Sequence, residues 1–279
     1  MKNKFLSHFA VVSIVTLAQS AVAQDHGHLY VGATTQNQNE PLIFDNGGDF
    51  ATSAGYVKTL DYTTSGTYAG YYLGNITLTV RAATAAHPPG PEANAPALGS
   101  WIFVQLVSVD GPPGGGFAFW DTSATNPTYS LASGQTGTNT WRLSQNDGSP
   151  GTDPFGHIHG RRFTATKPGI YTVTFRAFDY STNGVGGGSI HTPSDLIKIY
   201  FQAGVNIKAI QTETNVNRVT FGARAGFVWQ LEASESLAPS ATWNEVGNSV
   251  LGDDYFHEVE DDQVQDWRFY RVKGTPYVP

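Results

Sequence analysis

The chain has 279 residues, a formal net charge of −7, no cysteine and a single methionine, the initiator. Without thiols there can be no disulfide, no thiolate metal ligand and no cysteine nucleophile. The acidic balance argues against nucleic acid or an anionic membrane surface as a partner.

The first 23 residues read as a secretory signal peptide. Lys2 and Lys4 open it, a mostly apolar run follows over residues 5–18, and Ala21-Val22-Ala23 is a small-x-small cleavage signature. Cleavage there leaves 256 residues, moves the formal charge from −7 to −9 and exposes Gln24-Asp25-His26-Gly27-His28 as the new N-terminus. The apolar run is too short for a membrane anchor, and no later stretch is long and apolar enough to span a bilayer. The expected location is therefore outside the cytoplasm: periplasm, cell surface or medium.

Beyond the leader, helix formers are scarce, and Gly, Ser, Thr, Asn and aromatic residues dominate. Short alternating apolar runs are punctuated by Gly, Pro and Asn, a pattern that predicts an all-β protein. Strands are expected at residues 29–33, 55–63, 68–82, 101–109, 116–120, 140–144, 161–165, 169–179 and 196–203. The alternation is clearest where Tyr171, Val173, Phe175 and Ala177 share one face. The connection Asp45-Asn46-Gly47-Gly48-Asp49 reads as a turn rather than a calcium loop. The Gly-rich stretch from Asn183 to Ser189 reads as a turn rather than a mobile cover. A boundary falls near Gly204-Val205. After it, residues 206–210, 218–223, 227–234, 243–246, 255–259 and 269–272 predict further short strands, with Trp229, Trp243 and Trp267 as core aromatics. The acidic run Glu258, Glu260, Asp261, Asp262 and Asp266 lacks the spacing of a calcium loop and reads as a solvated loop. The expected organisation is a signal peptide at 1–23, a histidine-bearing β-sandwich at 24–204 and a small β-sandwich at 205–279, both immunoglobulin-like.

The chemistry-bearing residues are histidines. His157 and His159 stand two apart at the opening of a predicted strand, so their side chains share a face about 7 Å apart at the Cα level. Two imidazoles so placed can converge on one metal, at bonds of about 2 Å. His26 and His28 repeat the spacing, and His191 precedes another strand. With no sulfur available, a set of three or four imidazoles suits zinc or copper(II). The expected site is His26, His28, His157, His159 and His191, with Asp25 or Asp195 adding a carboxylate or orienting a ring. His87 and His257 read as ordinary structural or exposed histidines. No Gly-x-Ser-x-Gly, His-Glu-x-x-His or phosphate-loop motif occurs, and Ser189, His191 and Asp195 form a triad only in sequence, so no enzymatic activity is expected. The rival expectation is a carbohydrate-binding or adhesive module that uses Tyr71, Tyr72, Trp101, Trp120 and Trp141 as stacking platforms.

The string His157-Ile158-His159, Phe163, Thr166-Lys167-Pro168-Gly169-Ile170-Tyr171-Thr172-Val173-Thr174-Phe175, with Gly27-His28 at the start, resembles the choice-of-anchor M domain of bacterial surface proteins and its actinobacterial surface-anchored repeat. The resemblance covers about residues 25–203. Arg161-Arg162 departs from the Asn-Trp that follows the histidines in that family, and no anchoring tail or sorting signal is expected after the domain. It implies metal binding and a partner in a metal-uptake system or another cell-surface component. The strings Val228-Trp229-Gln230-Leu231-Glu232, Trp243-Asn244-Glu245-Val246-Gly247 and Arg268-Phe269-Tyr270-Arg271-Val272 resemble β-sandwich accessory modules of exported bacterial proteins. That second likeness implies fold alone.

Overall fold

The computed structural model describes residues 28–82, 92–145, 162–263 and 268–278. The signal segment, His26, His87, His157, His159, Asp25, Asp266 and Trp267 lie outside these residues. The described chain is all-β, with one short helix, α1 (Gly47–Phe50), and brief 3-10 turns. The first strands are β1 (His28–Ala33), β2 (Leu42–Phe44), β3 (Val57–Tyr62), β4 (Tyr72–Gly74) and β5 (Thr77–Val80). They are followed by β6 (Trp101–Asp110), β7 (Gly116–Trp120), β8 (Tyr129–Ala132), β9 (Gln135–Thr136), β10 (Thr140–Gln145), β11 (Arg162–Ala165), β12 (Gly169–Asp179) and β13 (Ile197–Ala203).

These strands form two sheets. A small one has the order β2-β1-β5, with β1 and β5 parallel. The large one runs β10-β6-β12-β13-β3-β4-β11-β7-β8, with β9 beside β6. Along β12 the predicted alternation is realised: Tyr171, Val173, Phe175 and Ala177 are buried. The large sheet curls back on itself, because strands far apart in its order meet through their aromatics. Phe163 lies 5.8 Å from Phe175 and 5.6 Å from Phe201, and Phe119 stacks on Trp141 at 4.1 Å between ring centroids. Offset and edge-on aromatic pairs of this kind each contribute about 0.5–1.5 kcal/mol beyond the area they bury.

The Thr-Lys-Pro-Gly-Ile-Tyr string has a structural explanation. The Tyr171 hydroxyl donates to the Lys167 carbonyl at 2.9 Å, closing the turn into β12. Gly111 and Gly115 make room for that ring, since a Cβ on either would stand 2.5 and 2.6 Å from Tyr171 atoms. The long strand expected at 68–82 is broken in two at Asn75-Ile76. There Gly74 lets β4 approach β3, because a Cβ would meet Leu60 at 2.6 Å. The Asp45–Asp49 turn runs into α1, and Asp45 is engaged by Arg81 and Asn94.

A second hydrophobic cluster begins after Ala203. It joins Val219, Phe221, Trp229, Leu231, Val246 and Val259. Its strands are β14 (Ile207–Thr212), β15 (Asn217–Ala223), β16 (Phe227–Ser234), β17 (Asn244–Leu251), β18 (Tyr255–Asp261) and β19 (Phe269–Pro276). They form the sheets β14-β15-β18 and β17-β16-β19. Trp229 is core, whereas Trp243 is only half-buried under the Arg271 guanidinium. The acidic run is not a solvated loop throughout. Glu258, Glu260 and Asp261 lie on β18, and Asp261 is buried against Arg268, Tyr270 and the Gln263 amide. The pattern missed this because alternation puts Val259 and Asp261 on the inner face, where a paired carboxylate replaces an apolar side chain.

The two clusters meet along a polar seam. Buried Gln202 donates to Thr59 Oγ1 and to the Gly222 carbonyl, Val57 N–H donates to the Asp254 carbonyl, and Phe256 N–H donates to the Gly55 carbonyl. Tyr56 and Tyr255 cross edge-on at 5.9 Å, and Arg224 pairs with Asp61 at 2.6 Å.

Candidate functional site

His28 is the first residue of β1. It is half-buried, its ring stacks near Tyr30 at 6.0 Å, and its carbonyl accepts from Asn46 Nδ2 at 2.7 Å. The Asn46 side chain also accepts from Tyr30 N–H, so one amide fixes the free edge of this strand start. Tyr30 in turn carries the Arg81 guanidinium 3.8 Å above its ring, and Arg81 is paired with Asp45.

The register places the start of β1 close to the start of β11. His28 pairs with Thr77, the first residue of β5. Phe163 pairs with Gly74, the last residue of β4, and β11 runs antiparallel to β4, so Arg162 stands at the same end. Gly74 and Thr77 are three residues apart, a separation of at most about 10 Å. Two strands from different sheets therefore begin on either side of one short corner, 74–77. Around it, Trp120 is buried, donates from Nε1 to Thr164 Oγ1 at 2.8 Å, and receives Tyr68 and Tyr71 edge-on.

His191 is elsewhere. Pro41 bridges Thr192, and Leu42 N–H donates to the Thr192 carbonyl, while Leu42 pairs with Ala33. His191 thus belongs to the Ala33 end of β1, five residues from His28, or about 17 Å along the strand. Its ring is buried, and both nitrogens are engaged. Nε2 accepts from Ala97 N–H at 2.9 Å, and Nδ1 lies 3.1 Å from the Glu40 carbonyl, to which it must donate. This is the neutral Nδ1–H tautomer, with no lone pair left for a metal. Burial holds its pKa below the usual histidine value, against the opposing pull of the Glu40 carbonyl and of Asp179 and Glu40 charge. Its main chain hangs on the buried Asp179 carboxylate, which accepts from the N–H groups of Trp101, Ser181, Ile190 and His191. The expectation that His191 joins the histidine cluster is corrected on these grounds. The residue is a fastener of three segments, and its engaged Nε2 does not serve as a base for Ser189. The adjoining Gly-rich turn is pinned by Gln38, which donates to the Ser189 and Ile190 carbonyls and accepts from Val185 N–H.

Asp195 is exposed before β13, and His257 Nε2 meets Asp253 Oδ1 at 2.8 Å in the second cluster. Among the described residues, no three His, Asp or Glu side chains are grouped to hold a metal ion. Of the expected stacking aromatics, Trp120 and Trp141 are core residues, while Tyr71, Tyr72 and Trp101 are partly exposed. No helix among the described residues is long and apolar enough to cross a membrane. No protein-family model matches the chain, and no curated protein matches it either.

Proposed function

We propose that this chain is an exported bacterial protein that binds one divalent transition metal ion, zinc or copper(II), through two His-x-His pairs, His26 with His28 and His157 with His159. It holds the ion for acquisition or storage and does not turn over a substrate. The partner is a metal-uptake system or another component of the cell surface. Each of its two units is an immunoglobulin-like β-sandwich. The closure of Tyr171 on the backbone four residues upstream supports that assignment for the first, since such tyrosine corners recur in those folds.

The observation that carries the metal reading is the corner at 74–77. His28 opens β1 on one side of it and Arg162 opens β11 on the other. His159 is tethered to Arg162 by three residues, at most about 10 Å of chain, and His157 by five, at most about 17 Å. Both pairs are therefore covalently tied to strand starts that flank one segment. Four neutral imidazoles with no thiolate give a borderline donor set, which suits these two ions.

The test is elemental analysis of the mature protein purified without a histidine tag, beside His157→Ala/His159→Ala and His26→Ala/His28→Ala. About one zinc or copper per chain in the parent, lost in both variants with the fold retained, is the expected result. No metal in the parent, and none taken up on dialysis against either ion, refutes the proposal. Affinity is expected to fall below about pH 6, where free imidazole protonates. Equal affinity at pH 5 and 7.5 excludes a histidine site.

A further inference from the structure

The last ladder pair between β2 and β1 is Phe44 with Val31, yet β1 begins earlier, at His28. Beyond that pair the Asp45 N–H donates to the Tyr30 carbonyl at 2.9 Å, and the main chain then turns away into α1. β2 itself therefore stops short of His28. The ladder is continued by one side chain. Asn46 Nδ2 donates to the His28 carbonyl at 2.7 Å, and Asn46 Oδ1 accepts from the Tyr30 N–H at 2.9 Å. A carboxamide carries a donor and an acceptor in one plane, as a peptide group does, so it can stand in for a strand neighbour. Its orientation is fixed here, because a carbonyl can only accept and an N–H can only donate.

Asn46 is itself held in place. Gly47 follows it in a buried position with no room for a Cβ, which would stand 2.9 Å from Phe44 Cβ. Its other neighbour, Asp45, accepts from Arg81 Nε at 2.7 Å and from Asn94 Nδ2 at 2.6 Å. The Arg81 guanidinium in turn covers the Tyr30 ring at 3.8 Å, and the His28 ring lies 6.0 Å from that same ring with 24° between the planes. The turn, the carboxamide and the start of β1 thus form one network that ends at His28. Chain termini are poorly ordered unless their backbone groups are tied down, and this network ties down the first residue of the fold.

We infer that Asn46 is a positioning residue for the proposed metal site. Its carboxamide fixes the His28 backbone, so the imidazole is presented from an ordered strand, and binding does not have to order that strand start at a cost in affinity. The inference rests on His28 being a ligand. Asn46 is not one itself, because both of its polar atoms are committed to β1. Its effect on the metal therefore runs through His28 alone.

The experiment is a copper(II) titration of the full mature chain, purified without a histidine tag, beside Asn46→Asp, Asn46→Ala and His28→Ala, with an electron paramagnetic resonance spectrum of each loaded form. Copper(II) is the probe because it heads the affinity order at imidazole sites. Asn46→Asp keeps the shape and the acceptor for Tyr30 but sets a second oxygen against the His28 carbonyl. Asn46→Ala removes both contacts without adding charge. Each is expected to weaken binding at least about tenfold and to move the copper spectrum toward that of His28→Ala, with cooperative urea unfolding retained. In the metal-free chain, amide exchange at Tyr30 should quicken in Asn46→Ala. Parental affinity with the parental spectrum in both variants, or unchanged exchange at Tyr30, overturns the inference and leaves the metal reading standing. Weaker binding with the parental spectrum does the same, since it marks a general loss of stability. A parent that binds no copper, or binding left unchanged by His28→Ala, overturns the two together.

Discussion

Replacing His191 by alanine tests the assignment of that residue as a neutral fastener. The substitution leaves the Ala97 N–H without its partner in a buried setting, while the part-buried Glu40 carbonyl keeps the Thr192 N–H. The unpartnered N–H costs about 1–3 kcal/mol, and the vacated ring adds a packing loss of the kind seen for large-to-small core changes. Together the expected loss is about 3–5 kcal/mol near neutral pH, read as a shift of the urea midpoint at constant slope. The pH dependence has a definite sign. The folded ring is held below the ordinary histidine pKa, so on acidification through about pH 6.5 the unfolded chain takes up a proton that the folded chain refuses. Folded-state stability therefore falls as pH drops below that value, by no more than about 1.4 kcal/mol per pH unit for one proton, until the folded ring itself is protonated. The alanine variant lacks this term, so the gap between parent and variant should narrow from pH 7.5 to pH 5. A constant gap across that range, or a loss below about 1 kcal/mol at pH 7.5, would refute both the tautomer and the fastening role.

Three further outcomes are expected. Asp261→Asn should destabilise the second cluster by about 3–5 kcal/mol, because Arg268, itself only 7% exposed, keeps its charge without a counter-ion. Burial pushes the Asp261 carboxyl up, but hydrogen bonds from Arg268 and Tyr270 outweigh it and leave the pKa below the usual value, so the stabilisation persists above about pH 4 and fades as pH falls below it, checked by acid titration of the melt. Gly222→Ala should loosen the seam between the two cores, since its Cβ would stand 2.6 Å from Gln202 Oε1, and limited proteolysis should then cut between residues 203 and 217 faster than in the parent. Asp61→Asn, which breaks an exposed pair with Arg224, should shift stability by less than about 1 kcal/mol, measured in the same urea titration.

Strand identity was legible wherever one face met the core. The spans at 116–120, 169–179 and 227–234 coincide with β7, β12 and β16; along β12 burial follows the alternation of Tyr171, Val173, Phe175 and Ala177, whereas β7 is a short apolar run buried continuously from Phe117 to Trp120. The β2 and β8 strands were not legible. Leu42-Ile43-Phe44 is too short to show a period, and Tyr129-Ser130-Leu131-Ala132 carries one buried large residue. The break at Asn75-Ile76 was invisible because Leu73, Ile76, Leu78 and Val80 continue an apolar run while the chain changes sheets. For the histidines, spacing is informative only where the chain is extended. It placed His28 just before a strand expected at 29–33, which in the structure begins at His28 itself; His191 likewise preceded an expected strand and is distinguished only by partners 94 and 151 residues away, Ala97 and Glu40. The aromatics were ambiguous for a related reason. Trp101 and Trp141 sit on neighbouring strands of one sheet, and only the register tells the outward ring from the buried one.

The corner at 74–77 gives the proposed metal site a mechanical consequence. β1 belongs to the small sheet and β11 to the large one, and the link between them here is the two-residue step from β4 to β5. A metal held by residues tied to both strand starts would close a second connection between the sheets. A ligand that binds only the folded chain stabilises it by about 2.7 kcal/mol at a free concentration one hundred times its dissociation constant. Because β1 contributes Leu29, Val31 and Ala33 to the same cluster as Phe163 and Ala165 of β11, that gain should appear in the main unfolding transition of the first core and not as a separate local event. Hydrogen exchange in β1 and β11 should slow together on adding zinc or copper, while exchange in β15 and β16 of the second cluster changes little. Slowing confined to β1 alone would mean that His157 and His159 are not ligands and that His26 and His28 bind metal without them.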